Sequence, residues 1–221
     1  MAEKKKIVIV PIVETAVTGF EKVPVYSFDE LPKDVQQSLI NNFNREGLQE
    51  DFFDGIVDLY TDGIMDDIAN KYNLNVFSIN YDLSYCQGSG ATFITGEITG
   101  TELKNFIKKT IPGFVKYFRF PNVLFPYFCE CVKVIFLPGR CANYNNVGTY
   151  GDFNPDEEQH IDNYLTDKLY QLEKLLEIFS SDLSCEITKK LYDEYEAYTS
   201  DENIKKVLSE NLYFEDGTIA E

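Results

Sequence analysis

The chain has 221 residues, 44% of them hydrophobic and 14% aromatic, which is enough apolar material to bury a core and excludes a disordered polypeptide. Its 37 Asp and Glu outweigh 20 Lys and Arg, for a formal net charge of −17 and a pI near 4.4. A surface this acidic repels phosphate backbones and anionic membranes, which excludes direct nucleic-acid and membrane-surface binding.

The opening residues place three lysines, Lys4, Lys5 and Lys6, before a seven-residue apolar run over 7–13 that contains Pro11. That run is too short for a membrane span or a complete signal peptide and reads as a strand in a soluble, intracellular protein. Residues 23–26 form a second expected strand. Ser27-Phe-Asp-Glu30 has the form of a capping box, and Pro32 suits the first turn of a helix running to about Phe43. A longer helix is expected over 51–72, where Phe53, Ile56, Val57, Tyr60, Ile64 and Ile68 recur at helical spacing and mark a core face.

Strand formers dominate 76–85 and 91–98, separated by Gln-Gly-Ser-Gly, so this stretch reads as a hairpin with Gly88 and Gly90 in its turn. A short helix is expected over 101–109, a buried strand over 128–137, and a long polar loop over 138–155. Asn154 and Pro155 then form a helix cap followed by Asp156, Glu157 and Glu158, opening a helix to about Phe179. Within it Leu165, Leu169, Leu172, Leu176 and Phe179 step by four, three, four and three residues. This seam is suited to the chain's own sheet or, as the alternative, to a homodimer. Further helices are expected over 183–198 and 201–211, and Asp216-Gly217 signals a turn. The order of elements points to an α+β fold. A central, largely antiparallel sheet with packed helices occupies 1–153, and an acidic helical C-terminal region, 154–221, packs on it.

The chemical candidates are few. Five cysteines, Cys86, Cys129, Cys131, Cys141 and Cys185, are an odd number at low density, as free thiols in a reducing compartment would be. Cys86 as a nucleophile would need His160, the one histidine, as its base. Cys129-Glu-Cys131 puts two thiols on one face of the expected strand but lacks the usual Cys-x-x-Cys knuckle. The acidic stretch 152–158 begins like a calcium loop but has Glu157 where such a loop needs glycine. The expectation is no catalytic residue, no metal and no cofactor, with a small cysteine or metal-dependent enzyme ranked below two binding functions.

Tyr26-Ser-Phe-Asp-Glu-Leu31, Ser84-Tyr-Cys-Gln-Gly-x-Gly-x-x-Phe93, Thr199-Ser-Asp-Glu202 and Phe214-Glu-Asp-Gly217 resemble the landmarks of a group of small phage and prophage proteins. Some members of that group are labelled antitoxins. Ser89 stands between the two glycines where the group is expected to have aspartate. The resemblance implies a protein at work in the cytoplasm of a bacterial host cell.

One charge pattern stands out. Glu50, Asp54, Asp58, Asp62 and Asp66 follow one another at i, i+4, with Asp51 and Asp67 beside them, and no base lies between Glu46 and Asn70. On one continuous helix they would form a stripe of carboxylates about 6 Å apart, costing roughly 1–2 kcal/mol in mutual repulsion. Such a stripe imitates a run of phosphates. Together with the resemblance it leads to the expectation of a non-enzymatic, phage-derived inhibitor. Its partner would be a basic nucleic-acid-binding protein of the bacterial host, such as a CRISPR effector or restriction enzyme. An antitoxin or regulatory module that sequesters a basic toxin is the alternative.

Overall fold

The computed structural model of the chain describes residues 7–11, 20–84, 87–117, 119–121, 123–139, 145–153 and 159–220. In chain order the strands are β1 (Ile7–Pro11), β2 (Phe20–Pro24), β3 (Tyr26–Ser27), β4 (Val76–Asp82), β5 (Gly90–Thr95), β6 (Val132–Pro138), β7 (Asn145–Gly151) and β8 (Leu212–Tyr213). The α-helices are α1 (Lys33–Asn41), α2 (Arg45–Asp51), α3 (Val57–Tyr72), α4 (Gly100–Thr110), α5 (Gly113–Tyr117), α6 (Leu124–Cys131), α7 (Gln159–Tyr198) and α8 (Asp201–Leu208). The fold is α+β, and every strand pairing among the described residues is antiparallel. No helix among the described residues is long and apolar enough to cross a membrane.

The chain divides into two compact units, one made of residues 1–54 and 195–221, the other of 55–194. Contacts thus partition the molecule differently from charge, which suggested a boundary at 153/154, because the C-terminal segment shares a core with the N-terminal one.

In the first unit the Glu30 carboxylate accepts both the Ser27 N–H and the Ser27 hydroxyl at 2.8 Å, holding the 3-10 turn Phe28–Glu30. Phe28, Leu31, Ile40 and Leu48 pack with Ile204, Leu208 and Tyr213, and β3 pairs with β8. The Tyr213 hydroxyl donates to the Leu208 carbonyl at 2.8 Å, so this buried phenol meets its polar requirement inside the core. Gly217 sits at φ +89°, and an added Cβ would lie 2.8 Å from Val35. The turn read from Asp216-Gly217 therefore needs glycine for both backbone and space.

In the second unit β4 and β5 form the hairpin expected from sequence, with Gly88 at φ 107° and Gly90 at φ 154°. β6 and β7 form a second ribbon. The central sheet takes the form of these two ribbons, joined by one backbone bridge and by side chains. Ile98 and Val134 exchange N–H···O bonds of 2.8 and 3.0 Å, and the Phe136 N–H donates to Thr95 Oγ1 at 3.1 Å. Helix α7 ties on from above: the Ala91 N–H donates to Thr188 Oγ1 at 2.8 Å, whose own hydroxyl donates to the Ser184 carbonyl at 2.7 Å. Leu165, Leu172 and Leu176 of the heptad seam are fully buried in the described structure, and Leu169 is half-buried.

Four expectations change. Residues 128–131 are the end of helix α6, not the start of a strand. Phe125, Phe128 and Cys129 fall on one helical face, and Phe120 meets Phe125 and Phe128 there at ring distances of 5.5 and 5.0 Å. The expected loop over 138–155 contains β7, concealed by its glycines. A Cβ at Gly148 would lie 2.8 Å from Ile135, and one at Gly151 would lie 2.7 Å from Phe153.

The two helices expected between 154 and 198 are one 40-residue helix. Leu176, Ser180, Leu183, Ser184 and Ile187 form a continuous buried face through residues 180–182, which lay between the two expected helices. The Ser180 hydroxyl is satisfied locally by the Glu177 carbonyl at 3.1 Å. Finally, the long helix expected over 51–72 is broken. Phe52–Ile56 is a π-turn in which Gly55, at φ 167° and ψ −24°, leaves the helical region.

Candidate functional site

Helix α3 has three faces, and the core one is narrower than the spacing suggested: Phe53 is 41% exposed in the π-turn before the helix, Ile56 is half-buried, and Tyr60 is half-buried toward α7. Val57, Thr61, Ile64 and Ile68 are buried. Tyr60, Gly63, Asp67 and Lys71 lie on the side next to α7. Asp58, Asp62 and Asp66, one turn apart, are exposed on a third face. Its C-terminus is closed by Asn73 in the left-handed conformation, and Lys109 reaches the last turn, bonding the Asn73 side chain at 3.3 Å and the Asn70 carbonyl at 2.5 Å. That end of the helix dipole thus has its cation.

The break at Gly55 divides the carboxylates read as one stripe. Glu50 and Asp51 belong to α2 and Asp54 to the π-turn, all in the first unit; Asp58, Asp62, Asp66 and Asp67 belong to α3 in the second. The run of i, i+4 positions therefore keeps its regular spacing only over Asp58, Asp62 and Asp66. All seven residues are exposed. Among the described residues Asp54, Asp58, Asp62 and Asp66 take part in no ion pair, whereas Asp67 Oδ2 lies 3.0 Å from Lys190 Nζ. The charge of Asp58 reaches β4: the Tyr81 hydroxyl is pushed above the usual tyrosine range, first by burial and then by this carboxylate.

Two further groupings depend on contacts distant in sequence. One is a ladder of charges from α3 to α7, in which Lys190 meets Asp67 at 3.0 Å and Glu186 at 3.9 Å, and Lys71 meets Glu186 at 3.0 Å. Only the Glu186 and Lys190 pair, at i, i+4, could be read from the chain. The other is Asn145, buried between the ribbons, whose Oδ1 accepts from the Phe93 N–H at 3.1 Å and from the Ser184 hydroxyl at 3.0 Å.

Of the thiols, Cys129 is buried in the last turns of α6, and burial pushes its pKa up to about 12. It does not share a strand face with Cys131, because both lie on the helix. Cys86, Cys141, residues 154–158 and the side chain of His160 lie outside the described residues. Among the described residues no three His, Cys, Asp or Glu side chains are grouped as metal ligands. No family model, no curated protein and no solved structure matches the chain.

Proposed function

We propose that this protein is a non-enzymatic inhibitor that sets the Asp58, Asp62 and Asp66 face of α3 against a basic nucleic-acid-binding surface of a bacterial defence protein. The observation that carries the reading is the regular, exposed row of three aspartates, which no base among the described residues neutralises. Carboxylates about 6 Å apart repeat on the same scale as phosphates along a strand. A groove built from Lys and Arg to release counterions from nucleic acid gains from them in the same way. The net charge of −17 adds long-range attraction to such a groove and repulsion from nucleic acid itself. Origin in a phage, and a defence protein as the target, rest on the resemblance of the sequence landmarks.

The test uses the whole protein and its D58N/D62N/D66N variant, matched for folding by circular dichroism. Each is immobilised, exposed to nuclease-treated bacterial lysate and eluted with rising salt. Basic nucleic-acid-binding proteins are expected on the parent, with retention falling at least about tenfold on the variant. Equal retention and an equal salt profile on both would remove this face from the function.

A further inference from the structure

Helices α3 and α7 run antiparallel inside the second unit. Lys71 meets Glu186 near one end, and Tyr60 shares a hollow with Glu194 near the other. Two hollows of about 470 and 430 Å³ lie between the helices and are both bounded by Ile64, Asp67 and Lys190, so they adjoin at the Asp67–Lys190 ion pair that crosses from α3 to α7. Along α3 the hollow near Glu194 is lined by residues 59–67 and the other by residues 64–72. Buried Ile64, Ile68, Leu183 and Ile187 make the hollow near Lys71 apolar, and Ile64 carries that apolar surface into the hollow near Glu194.

The end near Glu194 is open in a way the chain's own packing does not require. Leu59 forms one wall and is 70% exposed. Gly63 lies between Leu59 and Ile64 in mid-helix, where glycine is a poor helix former, and an added Cβ would meet nothing within 4 Å. The missing side chain adds to the open space of this hollow. The rim is acidic: Asp67, Glu186, Asp193 and Glu194 face Lys71 and Lys190, and both lysines are already paired within the chain. Asp193 and Glu194 have no ion-pair partner among the described residues.

We infer that this groove docks a short basic amphipathic helix of a partner protein. Its apolar side chains seat over Gly63 against Leu59 and Ile64, and its Lys or Arg side chains reach Asp193 and Glu194. An amphipathic helix laid in an apolar groove with charged rims is a general mode of peptide recognition, with affinity from the apolar anchors and orientation from the rim. Leu59 borders the Asp58, Asp62 and Asp66 row on α3, but the unpaired carboxylates of the rim, Asp193 and Glu194, are on α7, so neutralising the row leaves that part of the rim in place.

The probe is a fluorescein-labelled, ~14-residue model helix with leucine at i, i+3, i+4 and i+7 and lysine elsewhere, followed by anisotropy against the full chain. It is expected to bind saturably and at least about tenfold tighter than an all-lysine peptide of equal length, while a leucine–glutamate peptide of the same pattern does not bind. Gly63→Trp, which fills the space, is expected to weaken binding about tenfold or more, and Gly63→Ala less than about twofold. Leu59→Ser, at an exposed position that folding does not depend on, is expected to weaken it about fivefold and serves if the tryptophan variant misfolds. D58N/D62N/D66N is expected to change it less than about threefold. Equal binding of the all-lysine peptide, or full binding by folded Gly63→Trp and Leu59→Ser, overturns the groove. Loss of binding in the triple aspartate variant alone also overturns it, and places the probe on the acidic row instead.

Discussion

The side-chain amide of Asn145 pairs with the backbone of Phe93 as a neighbouring strand would: the Phe93 N–H donates to Oδ1 at 3.1 Å, and Nδ2 donates to the Phe93 carbonyl. Oδ1 also accepts the Ser184 hydroxyl at 3.0 Å, so one buried side chain joins β5, β7 and α7. Asn145→Ala leaves the Phe93 N–H and carbonyl without these partners in a buried site. It is expected to lower stability by about 2–4 kcal/mol, measured as a shift of the urea midpoint at constant m. A loss under about 0.5 kcal/mol would mean that another group replaces the amide.

Neutralising the acidic row is expected to act on binding without harming the fold. In D58N/D62N/D66N two like-charged i, i+4 steps disappear. The free protein is then expected to be as stable as the parent or more so, by up to ~1 kcal/mol at low salt, with the gain shrinking in 1 M NaCl. Urea unfolding at the two salt concentrations reads this directly. Destabilisation would show that these carboxylates hold structural partners.

Two glycines are expected to respond to alanine with opposite sign. Gly63→Ala fills open space in α3 and is expected to stabilise by about 0.5–1 kcal/mol. Gly217→Ala forces a side chain onto a residue at φ +89° and within 2.8 Å of Val35, and is expected to destabilise by more than about 1 kcal/mol. Thermal melts of the two variants side by side decide the point.

Cysteine alkylation at pH 8 is expected to separate buried from exposed thiols. Cys129, buried and pushed up to about 12, stays protonated and covered, so it should label only after unfolding. Cys185, exposed on α7, should label in the native protein. Peptide mass spectrometry after brief iodoacetamide treatment, with and without urea, distinguishes them. Native labelling of Cys129 would contradict its placement in α6.

The features legible in the sequence are those whose causes lie within one or two turns of chain. The Ser27 and Glu30 box, the 76–98 hairpin, the burial of Val57, Ile64 and Ile68 on α3 and the buried leucines at 165, 172 and 176 each follow from local caps, alternation or periodicity. The composition of the acidic row was equally plain. Its interruption was not, because a single glycine in a helical pattern gives no sign of whether the helix passes through it, and at Gly55 it does not.

Contacts distant in sequence decided the rest. β7 exists because Gly148 and Gly151 let Ile135 and Phe153 approach closely, so the residues that weaken its strand propensity are the ones its packing requires. α7 continues through two serines because burial on both sides of them outweighs their weak helix preference. The groove depends on Lys190 meeting Asp67 across 123 residues of sequence, a separation at which local patterns of charge or hydrophobicity carry no information about which surfaces will face each other.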